Sequence, residues 1–227
     1  MIIDTPAVIL RRFPYGETSI IARCYTKDQG KISVIVKGAR RKKSPMAAYF
    51  QPLNYLDIVY YSRTTRNLQS VSKATFAKIW SDLNQDLRKI TLGLAIIELV
   101  EKTNTENDPH TELFDLLIAV LSAIDSSKIR LNLLFWYFQI KLLTILGFKP
   151  NFYELQQGNI VFPSPFNGPN SEDILSDLCN SSLDSITNRV ATDQDRRAIS
   201  DYLSAFYNYH FDGLENLKSF SVLKQIS

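Results

Sequence analysis

The chain of 227 residues contains only two cysteines, Cys24 and Cys179, too few and too far apart for a disulfide framework or a four-cysteine metal site. It has no Gly-x-x-x-x-Gly-Lys phosphate loop and no dinucleotide-binding fingerprint. It also has no run of eighteen uninterrupted apolar residues and no basic residue among its first ten, so we expect neither a membrane span nor a signal peptide. These absences predict a cytoplasmic protein with reduced thiols, no metal and no cofactor.

Acidic residues are scarce in the first 80 positions, which hold 14 Lys and Arg against four acids, a net charge of +10. Residues 81–227 hold 12 Lys and Arg against 19 acids, a net charge of −7. Such a basic half predicts a polyanionic partner. Its four acids are isolated, whereas a metal-dependent nuclease needs clustered carboxylates, and neither His110 nor His210 neighbours a plausible nucleophile in sequence. We therefore expect a binding protein without catalytic residues.

The basic half is predicted to form strands, because apolar and polar residues alternate there with a period of two. The candidate strands cover residues 7–12, 19–26, 31–37, 55–61 and 68–76. Gly30 can supply the positive φ of a tight hairpin between the second and third. In the third strand Ile32, Val34 and Val36 share one face, so Lys31 and Lys37 point away from the core if that face points inward. Five short strands within residues 1–80 are typical of a small closed barrel.

From residue 81 the apolar spacing becomes that of helices, which predicts a domain boundary between residues 1–80 and 81–227. The first helix is expected to bury a stripe formed by Leu83, Leu87, Ile90, Leu94, Ile97 and Glu101. Further helices are predicted from Asp108-Pro109 to Ile124, over 131–146 after a cap at Ser126 or Ser127, over 171–178, and from Thr192-x-x-Asp195 to near Gly213. The segment 131–146 is apolar on nearly every side and should be the centre of a bundle. Residues 148–170 hold four prolines and should be irregular, and residues 214–227 should add a last turn or fray.

The sharpest local feature is Lys37-Gly38-Ala39-Arg40-Arg41-Lys42-Lys43-Ser44-Pro45, which has five cations in seven residues. Mutual repulsion makes this segment a poor core element, but on a phosphate backbone it would release condensed counterions, the main source of affinity for nucleic acids. A solvated loop is the plainer alternative. We predict that DNA phosphates cross the barrel at Lys31, Lys37, Arg40, Arg41, Lys42, Lys43, Arg63 and Arg66.

Aromatic side chains of the same half can stack bases. The candidates are Tyr15, Tyr25, Tyr49, Phe50, Tyr55, Tyr60 and Tyr61. Tyr60 and Tyr61 must face opposite sides of one strand, so at most one of them lines a given groove. Packing in the core is the commoner role for any one of these residues.

Several short motifs together resemble the amino-terminal barrel of the RecO family. They are Ala7-Val8-Ile9-Leu10, Tyr15-Gly16-Glu17, Thr26-x-x-x-Gly30-Lys31, Lys37-Gly38-Ala39-Arg40 and Gln51-Pro52-Leu53. Their order and spacing make the resemblance specific, and Leu146-Gly147-Phe148-x-Pro150 is its clearest signature in the helical half. The resemblance implies an α+β protein, with an OB-fold barrel followed by an all-α helical-bundle domain.

The resemblance also implies a nucleoid-associated recombination mediator. Such a protein binds single- and double-stranded DNA, anneals complementary strands, and with RecR helps to load RecA onto strands coated by single-stranded-DNA-binding protein. Many members carry a four-cysteine zinc site just after the Gly-Phe-x-Pro signature. Residues 151–158 contain no cysteine, so we expect no zinc here, and packing must stabilise the region 148–180 instead.

A second predicted site lies in the helical half. Three aromatic residues occur there close to three cations: Phe135, Trp136 and Phe138, with Lys128, Arg130 and Lys141. This group could accept an acidic, aromatic-ended peptide such as the tail of single-stranded-DNA-binding protein, although the aromatics can equally be core residues. Two rival functions stay open, an RNA-binding barrel and a metal-free nuclease or hydrolase assembled from distant residues.

Overall fold

The computed structural model describes residues 1–63, 65, 67–126 and 128–214. Five strands form a closed barrel in the order β1-β2-β3-β5-β4. Their bounds are Ile2–Tyr15 (β1), Ser19–Thr26 (β2), Gly30–Val36 (β3), Tyr55–Tyr61 (β4) and Leu68–Lys78 (β5). All neighbouring pairs are antiparallel except β3 with β5. Helices follow the barrel along the chain, and the predicted α+β class with an OB-fold barrel is confirmed.

The barrel core follows the predicted alternation. Ile32, Val34 and Val36 are buried and point inward, together with Cys24 of β2, whose thiol pKa is raised by burial. Gly30 has a φ of +64°, as the hairpin between β2 and β3 requires. β1 is longer than predicted and runs past residue 12 to Tyr15, with a register shift between Ile9 and Arg11.

The Gln51-Pro52-Leu53 motif lies in the loop before β4, and this loop forms backbone hydrogen bonds with the irregular part of β1. Leu53 donates its backbone N–H to the Ile9 carbonyl at 3.0 Å, and Ile9 donates to the Asn54 carbonyl at 3.0 Å. Leu53 is buried with a φ of +74°, and its carbonyl accepts a hydrogen bond from the buried Trp80 indole at 2.9 Å. A short helix, α1 (Met46–Tyr49), precedes this loop and was not predicted.

The main helices are α2 (Leu87–Thr103), α3 (Thr111–Ser126), α4 (Leu131–Ile145), α5 (Ser171–Asn180) and α6 (Asp193–His210). The chain divides into two compact units, and the first joins the barrel, Met1–Ser81, to Gly93–Asp115. The second contains Asp82–Leu92 and the residues from Leu116 onward. The predicted boundary at residue 80 assigned Gly93–Asp115 to the helical domain. In the structure this segment belongs to the same unit as the barrel. Within the described part of the chain, no helix is long and apolar enough to cross a membrane.

The predicted stripe of α2 is buried only in part, because Leu83, Ile97 and Glu101 are buried but Leu87 and Leu94 are not. Leu87 and Leu94 are exposed at 70% and 38%, whereas Leu92, Ile96 and Leu99 are buried. The helix starts at Leu87, after a separate 3-10 turn at Leu83–Gln85, so Leu83 does not continue its stripe. The prediction was wrong at Leu87 and Leu94 because the apolar residues of α2 surround much of the helix, and spacing alone cannot choose between two such faces.

The remaining helix predictions were largely correct, although α3 begins at Thr111 and not at the predicted Asp108-Pro109. α4 is buried at nearly consecutive positions from Leu133 to Leu143, as expected for a central helix, and it packs against α5 and α6. Its N-cap is Arg130 without a side-chain cap, so the predicted cap at Ser126 is wrong; Ser127 lies outside the described residues. The prediction for residues 214–227 also lies outside them, apart from Leu214.

The region after α4 is irregular, as predicted, with a short hairpin formed by β6 (Gln156–Gln157) and β7 (Ile160–Val161). Aromatic side chains pack it against α6. Phe152 and Phe162 are buried, with ring centroids 5.1 and 5.9 Å from that of Tyr202. Phe162 also lies 5.3 Å from the Phe206 ring. These contacts supply the packing that was expected to stabilise this region without zinc.

A buried carboxylate, that of Asp195, ties the same region to α6. Thr192 and Asp195 form the predicted capping box at the start of this helix. Asp195 also accepts hydrogen bonds from the Asn170 backbone N–H at 2.8 Å and the Ser171 hydroxyl at 3.0 Å, at the start of α5. Burial alone would raise the pKa of Asp195, but the hydrogen bonds from Thr192, Asn170 and Ser171 outweigh it and lower the pKa to about 2. One carboxylate therefore stabilises the starts of two helices.

Candidate nucleic-acid interface

The cationic turn, residues 37–43, follows β3 and is anchored at its centre. Gly38 has a φ of +69°, which turns the chain so that the side chain of Ala39 enters the barrel core. Arg40 donates its backbone N–H to the Thr18 carbonyl at 2.8 Å and its guanidinium to the Gly16 carbonyl at 3.2 Å. These hydrogen bonds hold the cationic turn beside the turn between β1 and β2. The backbone of the cationic turn is therefore fixed, even though most of its side chains are charged.

The charges of the cationic turn face solvent. Lys37, Arg40, Arg41, Lys42 and Lys43 are all exposed. Among the described residues, no ion pair involves any of the five. An exposed cluster of like charges on an anchored backbone is unfavourable by itself and is relieved by a polyanion.

The second predicted group of cations lies on the turn between β4 and β5. Arg63 is exposed, and its backbone N–H donates to the Gln69 side-chain oxygen at 2.8 Å. Leu68, at the start of β5, pairs with Ser33 of β3 in a parallel register, so this turn lies toward the start of β3, whereas the cationic turn follows its end. Arg66 lies outside the described residues.

Lys31 occupies a different environment from the one predicted. Its side chain is only 8% exposed, and Nζ donates to the backbone carbonyls of Glu101, at 2.7 Å, and Asn104. These carbonyls lie at the end of α2, where a helix leaves acceptors without backbone partners. Burial and the nearby Arg23 lower the pKa of Lys31. Lys31 points away from the barrel core, as predicted, but residues at the end of α2 cover it on the outer face. We therefore remove it from the proposed DNA contacts.

The segment Gly93–Asp115 also covers neighbouring positions on the outer face of β2 and β3. Arg23 forms an ion pair with Glu101 at 2.8 Å, and Ser33 donates to the Glu106 carboxylate at 3.3 Å. At the hairpin, Lys27 pairs with Asp115 at 2.8 Å. This part of the barrel surface is therefore occupied by contacts within the first unit, and we do not include it in the candidate interface.

The part of that face outside these contacts carries residues that were not predicted from the sequence. Phe13, Ile21 and Ile35 are half-buried, and the strand register places them side by side on β1, β2 and β3. Arg11 and Tyr15 lie on the same side of β1 and are exposed. Continuing the period-two pattern of β1 beyond residue 12 would have revealed this group.

Most of the aromatic residues selected from the sequence are structural. Tyr25, Phe50 and Tyr60 are buried, and burial raises the pKa of Tyr25 to about 12. Tyr61 is 49% exposed, so Tyr60 and Tyr61 face opposite sides as predicted. Tyr15, at 50%, is the candidate on the side that carries Phe13.

The predicted peptide site on α4 is not an open aromatic groove. Phe138 is fully buried, and Trp136 is 2% exposed with its indole N–H directed to the Ser200 hydroxyl at 3.3 Å. Lys141 donates to the Cys179 carbonyl at 2.9 Å. Of the three predicted cations, Lys128 and Arg130 are exposed. The aromatic part of the prediction is therefore corrected, because these rings belong to the core; Phe135 is half-buried.

The described residues contain no group of three or more His, Cys, Asp or Glu side chains that could hold a metal ion. His210 packs against the rings of Phe148 and Phe206, at 4.7 and 4.5 Å, and burial lowers its pKa. Residues 151–158 offer no thiolate, so this region does not fit the zinc site expected of many relatives.

Two family models match consecutive parts of the chain. The model described as Recombination protein O N terminal matches residues 1–80, and the one described as Recombination protein O C terminal matches residues 84–156. The matched ranges cover the barrel and the chain from α2 to the start of the small hairpin. Residues 157–227 lie beyond both models.

Curated proteins named DNA repair protein RecO are similar over the same part. The one from Salinibacter ruber is 39% identical over 149 residues, which are 66% of this chain and 57% of the relative. The one from Chlorobium phaeobacteroides is 35% identical over 153 residues, 67% of this chain and 59% of the relative. The one from Alkaliphilus metalliredigens is 34% identical over 151 residues, 66% of this chain and 61% of the relative. The chain thus spans less than two thirds of the length of these relatives.

Proposed function

Because this chain belongs to the RecO family, we propose that it acts in DNA repair and recombination as a DNA-binding protein whose barrel holds the phosphate backbone at the cationic turn. The observation that carries this proposal is the group of five exposed cations on an anchored turn, with no ion-pair partner among the described residues. The exposed Arg63 is a separate proposed phosphate contact, because its turn lies toward the start of β3 and the cationic turn follows the end of that strand.

Phosphate contacts of this kind bind any DNA sequence, since the backbone carries no base code. They fit single and double strands alike, as a protein that anneals complementary strands requires. Their free energy comes largely from released counterions, so affinity depends steeply on salt. Four neutralised phosphates would give a slope of about −3 for log K against log salt on a single strand.

The same proposal includes two specific activities in recombination. They are annealing of complementary strands, and loading of RecA, with RecR, onto single strands coated by single-stranded-DNA-binding protein. The family role motivates these partners, and the proposed place of the activity is the cytoplasm, at the nucleoid. For the acidic tail of single-stranded-DNA-binding protein, the exposed Lys128 and Arg130 support an ionic contact only. A pull-down with the tail peptide tests it, and failure at low salt removes this partner site.

The cationic turn is tested by charge reversal with a charge-matched control. Lys42→Glu/Lys43→Glu should weaken binding to single-stranded and duplex oligonucleotides and make the salt dependence shallower. Lys73→Glu/Lys102→Glu changes the net charge equally at two exposed lysines of the same unit, away from the cationic turn in sequence. Its effect should be small. Equal losses for the two pairs would show that only net charge matters and would refute a defined site.

Two further measurements separate this proposal from its rivals. Competition between DNA and RNA oligonucleotides of one sequence tests an RNA-binding role, which preference for RNA would favour. Incubation with end-labelled DNA, with and without magnesium, tests for a nuclease, and cleavage by the pure protein would contradict a purely binding role.

A further inference from the structure

The uncovered part of the outer barrel face forms an apolar row across three strands. Phe13 of β1 pairs with Ile21 of β2, which pairs with Ile35 of β3. Their strand neighbours Ala22, Val34 and Val36 belong to the core, so these three side chains point outward. Adjacent strands are about 4.8 Å apart, which makes the row about 10 Å wide. It is wide enough to accept the face of a planar ring.

A second ring continues this surface along β1. Tyr15 lies two residues beyond Phe13, points to the same side and is 50% exposed. Residues two apart in a strand are separated by about 6.8 Å, twice the 3.4 Å rise per nucleotide within one strand of a duplex. Bases placed on both rings would therefore be pulled apart from each other. This spacing fits an extended single strand and not a stacked helix.

Cations border the row on both sides. The guanidinium carbon of Arg11 lies 5.4 Å from the Phe13 ring centroid, and that of Arg23 lies 5.8 Å from it. Arg23 is held by Glu101 at 2.8 Å, whereas Arg11 is exposed and has no ion pair among the described residues. On the other side, β3 leads directly into Lys37 and the cationic turn. A strand whose bases lie on the rings would have cations available for its phosphates.

We propose that Phe13 and Tyr15 stack unpaired bases of a single strand, that Ile21 and Ile35 complete the platform, and that Arg11 contacts the adjoining phosphate. This proposal rests on DNA binding at the cationic turn and gives it strand selectivity. In a duplex the base faces are buried in the stack, so the platform adds affinity for single strands alone. The cationic turn serves both forms.

The test removes the rings and keeps apolar side chains. Phe13→Leu/Tyr15→Leu is compared with Tyr61→Leu, a residue of equal exposure on the outer side of β4. Fluorescence anisotropy measures binding of labelled oligothymidylate and of a duplex over a salt series. The double variant should bind the single strand at least about tenfold more weakly, given the usual effect of losing base–aromatic stacking. Its duplex affinity and salt slopes should change little, and the control should leave both affinities unchanged.

Equal losses on single strand and duplex, or no loss on either, would overturn the platform. Photocrosslinking of the wild-type protein to 5-iodouracil-substituted oligothymidylate gives an answer even if the double variant unfolds. Crosslinks should map to Phe13 or Tyr15, and crosslinks confined to other aromatic residues would also overturn it. Failure of the proposed cationic-turn site would give a different result. In that case Lys42→Glu/Lys43→Glu, which keeps Phe13 and Tyr15, would bind the single strand as tightly as wild type.

Discussion

Lys31 and Lys37, at opposite ends of β3, should respond in opposite ways to replacement by methionine. The Lys31 ammonium is buried and bonded to two carbonyls at the end of α2, whereas the Lys37 side chain is exposed at the start of the cationic turn. Lys31→Met should lower stability and leave DNA binding by the folded protein intact. Lys37→Met should lower DNA affinity and leave stability unchanged.

The size of the stability loss follows from the contacts of Lys31. Hydrogen bonds that involve a charged group contribute about 1.5–3 kcal/mol each, and both carbonyls would be left without this donor. Methionine escapes the cost of burying a charge, so we expect a net loss of about 3 kcal/mol. For a chain of this size, that lowers the melting temperature by roughly 6–12 °C. An exposed substitution such as Lys37→Met should stay within about 0.5 kcal/mol of wild type.

Thermal unfolding followed by circular dichroism measures the first effect, and DNA binding over a salt series, well below the melting temperatures, measures the second. Loss of one phosphate contact at Lys37 should reduce the slope on a single strand by about 0.7. If Lys31→Met instead reduced the slope while its melting temperature stayed at the wild-type value, the assignment of Lys31 to the helix end would be refuted.

Two further predictions concern the fold. The depressed pKa of Asp195, about 2 against an ordinary 3.8, corresponds to about 2 kcal/mol that is present above about pH 4 and lost as pH falls toward 2. Urea unfolding at several pH values should show this loss in wild type and not in Asp195→Asn, which is less stable at neutral pH; parallel curves would contradict it. Gly30→Ala, with φ +64° and the Asp108 carbonyl in the way of a Cβ, should cost more than Gly16→Ala, with φ +55° and open space. Equal melting temperatures for the two variants would contradict the close approach at Gly30.

Local patterns were sufficient for the barrel strands and for the start of α6. Alternation along β3 identified Ile32, Val34 and Val36 as core residues, and the spacing of Thr192 and Asp195 identified a cap that the structure contains. In both cases the signal lies within a few residues of the chain. The buried face of α2 could not be chosen in this way, because it depends on which partners the helix meets.

In the candidate site, too, local features could be predicted from the sequence, whereas features that depend on distant contacts could not. The cationic turn is a run of neighbouring residues, and its exposure could be anticipated from mutual repulsion of its charges. The burial of Lys31 depends on Glu101 and Asn104, about seventy residues further along the chain, and no local pattern reports such a contact. The row formed by Phe13, Ile21 and Ile35 likewise depends on the register of three strands.

The central claim is that an anchored turn of exposed cations binds DNA through its phosphates. The most direct measurement is the affinity of the full chain for a single-stranded oligonucleotide over a series of salt concentrations, for wild type and for Lys42→Glu/Lys43→Glu. We predict a slope of about −3 for wild type and a shallower slope with weaker binding for the variant. A flat wild-type titration, or identical slopes for the two proteins, would contradict the claim.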